Sequence, residues 1–135
     1  MAICAIGMAS TDNPSLQIYN EKCDQLLSES EIRFAGIIND EGNLISGGFK
    51  EGLTPLEKDE SKLKSFMEFV SKASIRKEFD DTLGPINYLA ARRDKAVLVS
   101  FPFPITRIVL LISAEPTVDI EKLAQKVVEI FSGFS

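Results

Sequence analysis

The segment that most constrains the fold is the apolar run AVLVSFPFPITRIVLLISA at residues 96–114. As a single helix, its nineteen residues would be long enough to span a bilayer. Pro102 and Pro104 lie near its middle, however, and two prolines would remove two backbone donors and break such a helix. Because β-branched and aromatic residues dominate, the run instead predicts two strands joined by a proline-containing turn, and no membrane segment.

These two predicted strands are apolar at consecutive positions, 97–99 and 108–112. Successive side chains of a strand point to opposite faces of the sheet, so both faces of these strands must be covered. We therefore expect them to be central strands with helices on both sides. Residues 86–92 mix polar and apolar side chains and predict an edge strand, which would be open to pairing with a second copy.

The segment INDEGNLISGGFKEG at residues 38–52 contains four glycines and raises the question of a phosphate-binding loop. Such a loop needs a lysine and a Ser or Thr directly after its last glycine, followed at once by a helix. Gly47 is followed by Gly48, Phe49 and Lys50, so the pattern does not fit. We interpret the segment as a β-hairpin, with strands at 32–40 and 44–49 and a Gly-Gly kink, bulge or close backbone approach in the second strand.

Helical periodicity completes the chain. It predicts a first helix over residues 15–29 and a last helix over 119–132 with a clear apolar stripe. Thr54, Pro55 and Glu57 match a capping box and predict that the middle helix begins there. That helix would run toward residue 79 or 81, with a break near Ser74 also compatible with the pattern.

The resulting order is α-ββ-α-βββ-α, which predicts an α+β fold with a five-stranded antiparallel sheet and helices on both faces. The three late strands are joined by short connections and form a meander. We expect a flexible N-terminal tail at residues 1–13 and a single domain over residues 14–135.

Composition weighs against several classes of function. The chain has no histidine, which removes the commonest general base and metal ligand. Its net charge of −5 disfavours nucleic-acid binding, which needs a basic surface. Two cysteines are too few for a disulfide framework and indicate free thiols in a reducing compartment, so we expect a cytoplasmic protein. Carboxylate pairs at 40–41, 59–60 and 80–81 fall in predicted turns or helix ends, and we assign no catalytic, cofactor or metal-binding residue.

The element order, together with the hairpin motif IINDEGNLI at residues 37–45, resembles the roadblock/dynein light chain family within the wider profilin-like and longin-like group. The resemblance covers about residues 15–132, and the order of elements is more specific than the hairpin motif. It implies that the first and last helices cover one face of the sheet and the middle helix covers the other. Small archaeal proteins also look like this, which would leave the activity open.

The resemblance implies a binding module that forms homodimers through the middle helix and the neighbouring edge strand. Small GTPases or other signalling proteins are the partners it implies. Mapped by position, the dimer and partner interface would use these residues: Phe66, Phe69, Val70, Ala73, Asn87, Tyr88 and Leu89.

Two further hypotheses stay open. A small-ligand sensor of PAS-like or profilin-like type would need a cavity, against which the large residues of the central strands argue. An enzyme without histidine chemistry is the third hypothesis. Within the first hypothesis, Phe66 and Val70 could equally be core residues, whereas Phe69 lies off the main apolar stripe and would be exposed in a monomer.

Overall fold

The computed structural model describes residues 14–103 and 106–132, although not the side chains of Pro14 and Ser15. The predicted N-terminal tail with Cys4 lies outside the described residues, as do Pro104 and Ile105 of the predicted turn. The described part consists of α1 (Pro14–Leu27), β1 (Ile32–Ile38), β2 (Leu44–Phe49), α2 (Glu60–Ile75), α3 (Asp80–Leu83), β3 (Leu89–Arg92), β4 (Val97–Pro102), β5 (Val109–Ala114) and α4 (Ile120–Phe131).

The strands form one antiparallel sheet in the order β2-β1-β5-β4-β3. The apolar run at 96–114 supplies β4 and β5, which lie inside the sheet, as predicted from their continuous hydrophobicity. The final strand therefore pairs with the first, which closes the sheet around the most apolar segment of the chain. These findings confirm the predicted α+β fold.

The two faces of the sheet carry different helices. On one face α1 and α4 cover a large core that includes Leu26, Ile37, Ile112 and Leu123. Complete burial of a side chain such as Ile112 contributes roughly 1.5–3 kcal/mol to stability, so this face supplies most of the hydrophobic stabilisation.

On the opposite face α2 is the one described helix that covers a smaller core, made by Phe34, Ile38, Val109 and Leu111. Two serines of α2 are buried there, and Ser74 shares a 2.8 Å hydrogen bond with Ser100 of β4. The predicted placement of helices on both faces is thus confirmed. The core under α1 and α4 is larger than the core under α2.

The predicted start of the middle helix is wrong. Helix α2 begins at Glu60, and its N-cap is Asp59, whose carboxylate accepts hydrogen bonds from the backbone N–H groups of Ser61 and Lys62. An aspartate is as good an N-cap as a threonine, and it lies closer to the first apolar residues that the helix packs on the sheet. Thr54 is consequently outside the helix, and Glu57 accepts the N–H of Asp59 instead of closing a capping box.

The compatible break near Ser74 is observed. Helix α2 ends at Ile75, and a separate single turn, α3, ends at Gly84 with a positive φ of 83°. Strand β3 begins at Leu89 instead of residue 86, so Asn87 and Tyr88 precede the strand.

Gly47 explains the glycine-rich segment. Its φ is +83°, and a Cβ atom there would lie 2.2 Å from the carbonyl oxygen of Ala35 on β1. The predicted close backbone approach is confirmed. Because β2 continues to Phe49 and α2 does not begin until Glu60, the segment lacks the loop-to-helix junction that a phosphate-binding loop requires.

Candidate interaction surface

One flank of α2 is fixed against the β1–β2 hairpin. The Lys64 ammonium donates to the Glu41 carbonyl at 2.9 Å and also to the Asn43 side chain. The Ser71 hydroxyl donates to the carbonyl of Asn39 at 2.6 Å. These contacts turn the opposite flank of the helix away from the hairpin, toward the β4–β3 side of the sheet, where Ser74 meets Ser100.

That opposite flank carries the four helix residues that the sequence singled out. With 100° between successive residues, Phe66, Phe69, Val70 and Ala73 fall within an arc of roughly 100°. Phe69 is 70% exposed, as its position off the main stripe predicted, while the other three are partly buried. Phe66 and Val70 also pack against the smaller core. Each of these two side chains therefore contributes partly to the core and partly to the surface.

Strand β3 extends this flank to the edge of the sheet. All four of its residues are exposed, and Leu89, 39% exposed, lies opposite Ser100 in the register. Since directly opposite residues of an antiparallel pair share a face, Leu89 lies on the same face as α2. Ser74, Ser100 and Leu89 are therefore neighbours, and the α2 flank and the β3 edge form one surface.

Asn87 and Tyr88 are placed differently. Asn87 is exposed ahead of the strand. Tyr88 points to the α4 face, where its ring centroid lies 5.7 Å from that of Phe101 and its hydroxyl donates to the Glu121 carboxylate. That hydrogen bond raises the pKa of the Tyr88 phenol. The fold thus brings together four helix residues and Leu89, and it separates Tyr88 from them.

Two residues of this region were missed by the sequence reasoning. Phe79 directly precedes α3 and Leu83 is its last residue, and they are 65% and 78% exposed. They are four residues apart, the spacing of one helical turn, and this signal was hidden because the segment was taken as the end of the middle helix. We call α3, Phe79 and Leu83 together the α3 clasp.

Basic side chains surround Phe69. Lys62 lies two turns before it and Lys72 one turn after it on α2, Arg76 directly follows the last residue of the helix, and all three are exposed. Arg76 forms an exposed ion pair with Glu78 at 2.6 Å, which contributes little to stability because water screens it. An apolar centre with a charged rim is typical of protein–protein interfaces.

The described residues give no comparable support for small-molecule chemistry. Two clefts have volumes of about 240 and 400 Å³, and both are lined mainly by polar and charged side chains. The larger is lined by Asp40, Glu41, Asn43, Lys64, Glu68 and Lys72. Small-molecule sites are mostly apolar with a few polar groups, and neither cleft has that lining.

Candidate catalytic and membrane features are similarly weak in the part of the chain that the structure describes. Burial raises the pKa of the Cys23 thiol to about 12, so this thiol is not a nucleophile at neutral pH. No three His, Cys, Asp or Glu side chains within the described ranges come together as a metal site would require. None of the described helices combines the length and apolar character needed to cross a bilayer.

The fold is shared with solved roadblock domains. The Roadblock/LC7 domain from Streptomyces avermitilis superposes with a TM-score of 0.61 at 13% identity, covering 84% of this chain and 92% of that one. MglB from Myxococcus xanthus gives a TM-score of 0.59 at 17% identity, with 91% and 94% covered. An MglB structure with a tetrameric arrangement gives 0.64 at 12% identity, with 84% and 82% covered. At these identities the likeness concerns the fold, and it confirms the roadblock-like architecture.

A search of proteins with curated function finds no match to this sequence. A family profile, in contrast, matches residues 13–133, which is nearly the whole chain. The chain therefore belongs to DUF6659, a family of unknown function, and it has a roadblock-like fold.

Proposed function

We propose that this chain is a homodimeric protein-interaction module of roadblock type. The observation that carries the proposal is the continuous surface formed by the α2 flank and the β3 edge, in which Phe69 is 70% exposed at the end of the helix arc farthest from β3. An exposed large aromatic residue and an unpaired strand edge are each costly for a solitary protein, and both are common features of association sites. The contact residues in this proposal are Phe66, Phe69, Val70, Ala73 and Leu89.

A two-fold dimer built on this surface would pair β3 with its copy and pack the two α2 flanks together. The pairing satisfies the outward-facing backbone groups of β3, and the helix contact removes Phe69 from water. A single two-fold association gives both gains, which supports one interface over two separate ones.

The test is Phe69→Asp, with molar mass measured by sedimentation equilibrium over a concentration series. We expect the dissociation constant to rise by at least about 100-fold, because a charge replaces the most exposed aromatic side chain of the proposed interface. The matched control is Val128→Asp on α4, since Val128 is 65% exposed on the opposite face of the sheet. Circular dichroism melting of each variant monitors the fold.

A dimer that survives Phe69→Asp unchanged would place the interface elsewhere. A monomeric wild-type chain at high micromolar concentration would remove the proposal altogether. Equal weakening by Phe69→Asp and Val128→Asp would point to a general effect of added negative charge.

We extend the proposal to a regulatory role in the cytoplasm, with a small GTPase or another signalling protein as the partner and no catalysis by this chain. The support is the roadblock-like fold, together with the charged rim around Phe69. Cross-linking mass spectrometry in native cell extract tests this part. A specific protein cross-linked near α2 or β3 would support it, and a stoichiometric bound metabolite instead would favour the ligand-sensor hypothesis.

A further inference from the structure

We infer that the α3 clasp docks on helix α2 of a second copy and completes the dimer interface. The inference rests on the proposed function, because it assigns a further segment to the same association. It goes beyond that function by giving a role to a segment that belongs to neither core of the described residues.

The clasp is built to present two apolar side chains together. The Leu83 N–H donates to the Phe79 carbonyl at 2.8 Å, the hydrogen bond of one α-helical turn. Side chains one turn apart lie on the same side, so Phe79 and Leu83 form a single apolar ridge. With exposures of 65% and 78%, this ridge has little contact with the rest of its own chain.

The position of the clasp makes it continuous with the proposed interface. The segment that contains the clasp begins at the C-terminal end of α2, just after Ser74, and rejoins the sheet at Leu89. Both of these residues neighbour Ser100, Ser74 by a 2.8 Å hydrogen bond and Leu89 by strand register. The chain therefore leaves from and returns to one end of the interaction surface, so the clasp lies beside it.

Area also argues for the clasp. A stable interface buries roughly 800 Å² on each partner. A phenylalanine side chain offers about 200 Å², so Phe69 at 70% exposure supplies roughly 140 Å² of this. Phe79 at 65% exposure supplies nearly as much, roughly 130 Å², and Leu83 is more exposed still. Phe79 and Leu83 together would therefore add more buried apolar area to the interface than Phe69 supplies by itself.

Charge favours one docking place for the clasp. Asp80 and Asp81 follow Phe79 directly, and the exposed side of α2 carries Lys62 two helical turns before Phe69. A two-fold axis that pairs the α2 helices antiparallel brings the C-terminal end of one helix to the N-terminal half of the other. The acidic clasp of one copy then meets Lys62 of the second copy, with the Phe79–Leu83 ridge against the Phe66–Phe69 side.

The experiment uses Phe79→Trp as a reporter, because the chain contains no tryptophan. Indole emission and molar mass are measured over the same concentration series. We expect the emission maximum to move to shorter wavelength as dimer forms, with the same midpoint as the change in mass. The matched control is Val128→Trp, which starts from the same 65% exposure on the opposite face and should show no shift.

A second variant, Phe79→Ser with Leu83→Ser, removes the ridge from a segment outside both cores. We expect it to raise the dimer dissociation constant by at least about 10-fold and to leave the melting temperature of the monomer unchanged. Emission that stays constant while the mass doubles, or a double variant that dimerises like wild type, would overturn the inference.

These outcomes separate the inference from the proposed function. If Phe69→Asp abolishes the dimer while the double variant does not, the α2–β3 interface stands and the clasp has no part in it. If the double variant weakens the dimer while Phe69→Asp does not, the clasp docks on a different surface and the proposed interface is wrong. A monomeric wild type overturns both.

Discussion

The two edge strands of the sheet, β2 and β3, differ in whether their outer edge is covered. At β2, the backbone N–H of Gly47 donates to the side-chain oxygen of Asn20 on α1 at 2.9 Å. The hydroxyl of the buried Ser46 also donates to the carbonyl of Leu16 on the same helix. At β3, all four residues are exposed, and even the largest apolar side chain of the strand, Leu89, is 39% exposed to solvent.

The difference shows how one sheet can be protected on one side and available on the other. Unpaired strand edges invite pairing with other chains, and proteins usually block them. In this fold helix α1 blocks the β2 edge, because the side-chain oxygen of Asn20 accepts the backbone N–H of Gly47. The β3 edge has no such device among the described residues, which is why the proposed association is assigned to it.

The largest effect on stability should come from adding a side chain at Gly47, where β2 approaches the backbone of β1 closely. Gly47→Ala places a Cβ 2.2 Å from the Ala35 carbonyl and forces a non-glycine residue to a φ of +83°. Strain and overpacking together should lower the free energy of unfolding by about 3–5 kcal/mol. Urea unfolding followed by circular dichroism measures the loss.

Gly52→Ala is the matched control for backbone strain. Gly52 has a φ of +84°, and nothing lies within 4 Å of the position its Cβ would take. Its substitution should cost only about 1–2 kcal/mol. Equal losses at the two positions would show that the contact with β1 does not contribute, and the β2 edge would then be less tightly sealed than its geometry indicates.

A smaller effect, on association alone, is expected at the β3 edge. Arg93 donates its N–H to Ala96 across the β3–β4 turn, and hydrogen-bonded pairs alternate along the ladder. The N–H of Ala90 therefore points away from β4. Ala90→Pro should raise the dimer dissociation constant by about 100-fold, since it removes a donor from the proposed strand pairing. Sedimentation equilibrium measures this change.

The neighbouring position tests the register. The N–H of Ala91 points into the ladder toward Leu98, so Ala91→Pro should destabilise the monomer by about 3 kcal/mol. Ala90→Pro should leave the monomer's melting temperature nearly unchanged, because proline is tolerated at an outward-facing edge position. A dimer insensitive to Ala90→Pro would mean that β3 does not pair across the two-fold axis.

The smallest effect, measured over a single pH unit, is a pH dependence at the β2 edge. Cys23 of α1 lies against Gly47, and burial raises the pKa of its thiol from 9.0 to about 12. Between these values the unfolded chain loses the proton first and binds fewer protons than the native one. Stability is therefore fully present below pH 9 and should fall as pH rises above it, by up to about 1.4 kcal/mol per pH unit.

Urea unfolding at intervals from pH 8 upward measures this slope. Cys23→Ala should flatten the curve above pH 9, while lowering stability at every pH because it leaves a small cavity. Tyr19, whose pKa burial also raises, leaves some residual slope in the variant. A slope that is unchanged by Cys23→Ala would show that the thiol is not the group that titrates.

The sequence was most informative where one physical requirement dominated. The double-sided hydrophobicity of 97–99 and 108–112 required an internal position in the sheet, and β4 and β5 have it. Phe69 stood off the apolar stripe of its helix and is exposed. In both cases the pattern is a matter of burial, which local periodicity records directly.

The sequence was less informative where two local signals competed. Thr54 and Asp59 both suit an N-cap, and the choice depended on which helix start lets α2 pack on the sheet. Tyr88 was misplaced for another reason: Tyr88 and Leu89 are adjacent, and adjacent side chains of an extended chain point to opposite faces, so both could not join the α2 surface. The clasp was missed because its single helical turn lies outside both described cores, so no apolar stripe separates it from the end of the middle helix.

By itself, then, the sequence determined the order of elements, the layered α+β class and the identity of the central strands, because each of these follows from how apolar residues are spaced. Tertiary structure alone decided which strand edge α1 seals, which side chains share a face with α2, and where Phe79 and Leu83 stand. These depend on contacts between residues far apart in the chain, and no local pattern records such contacts.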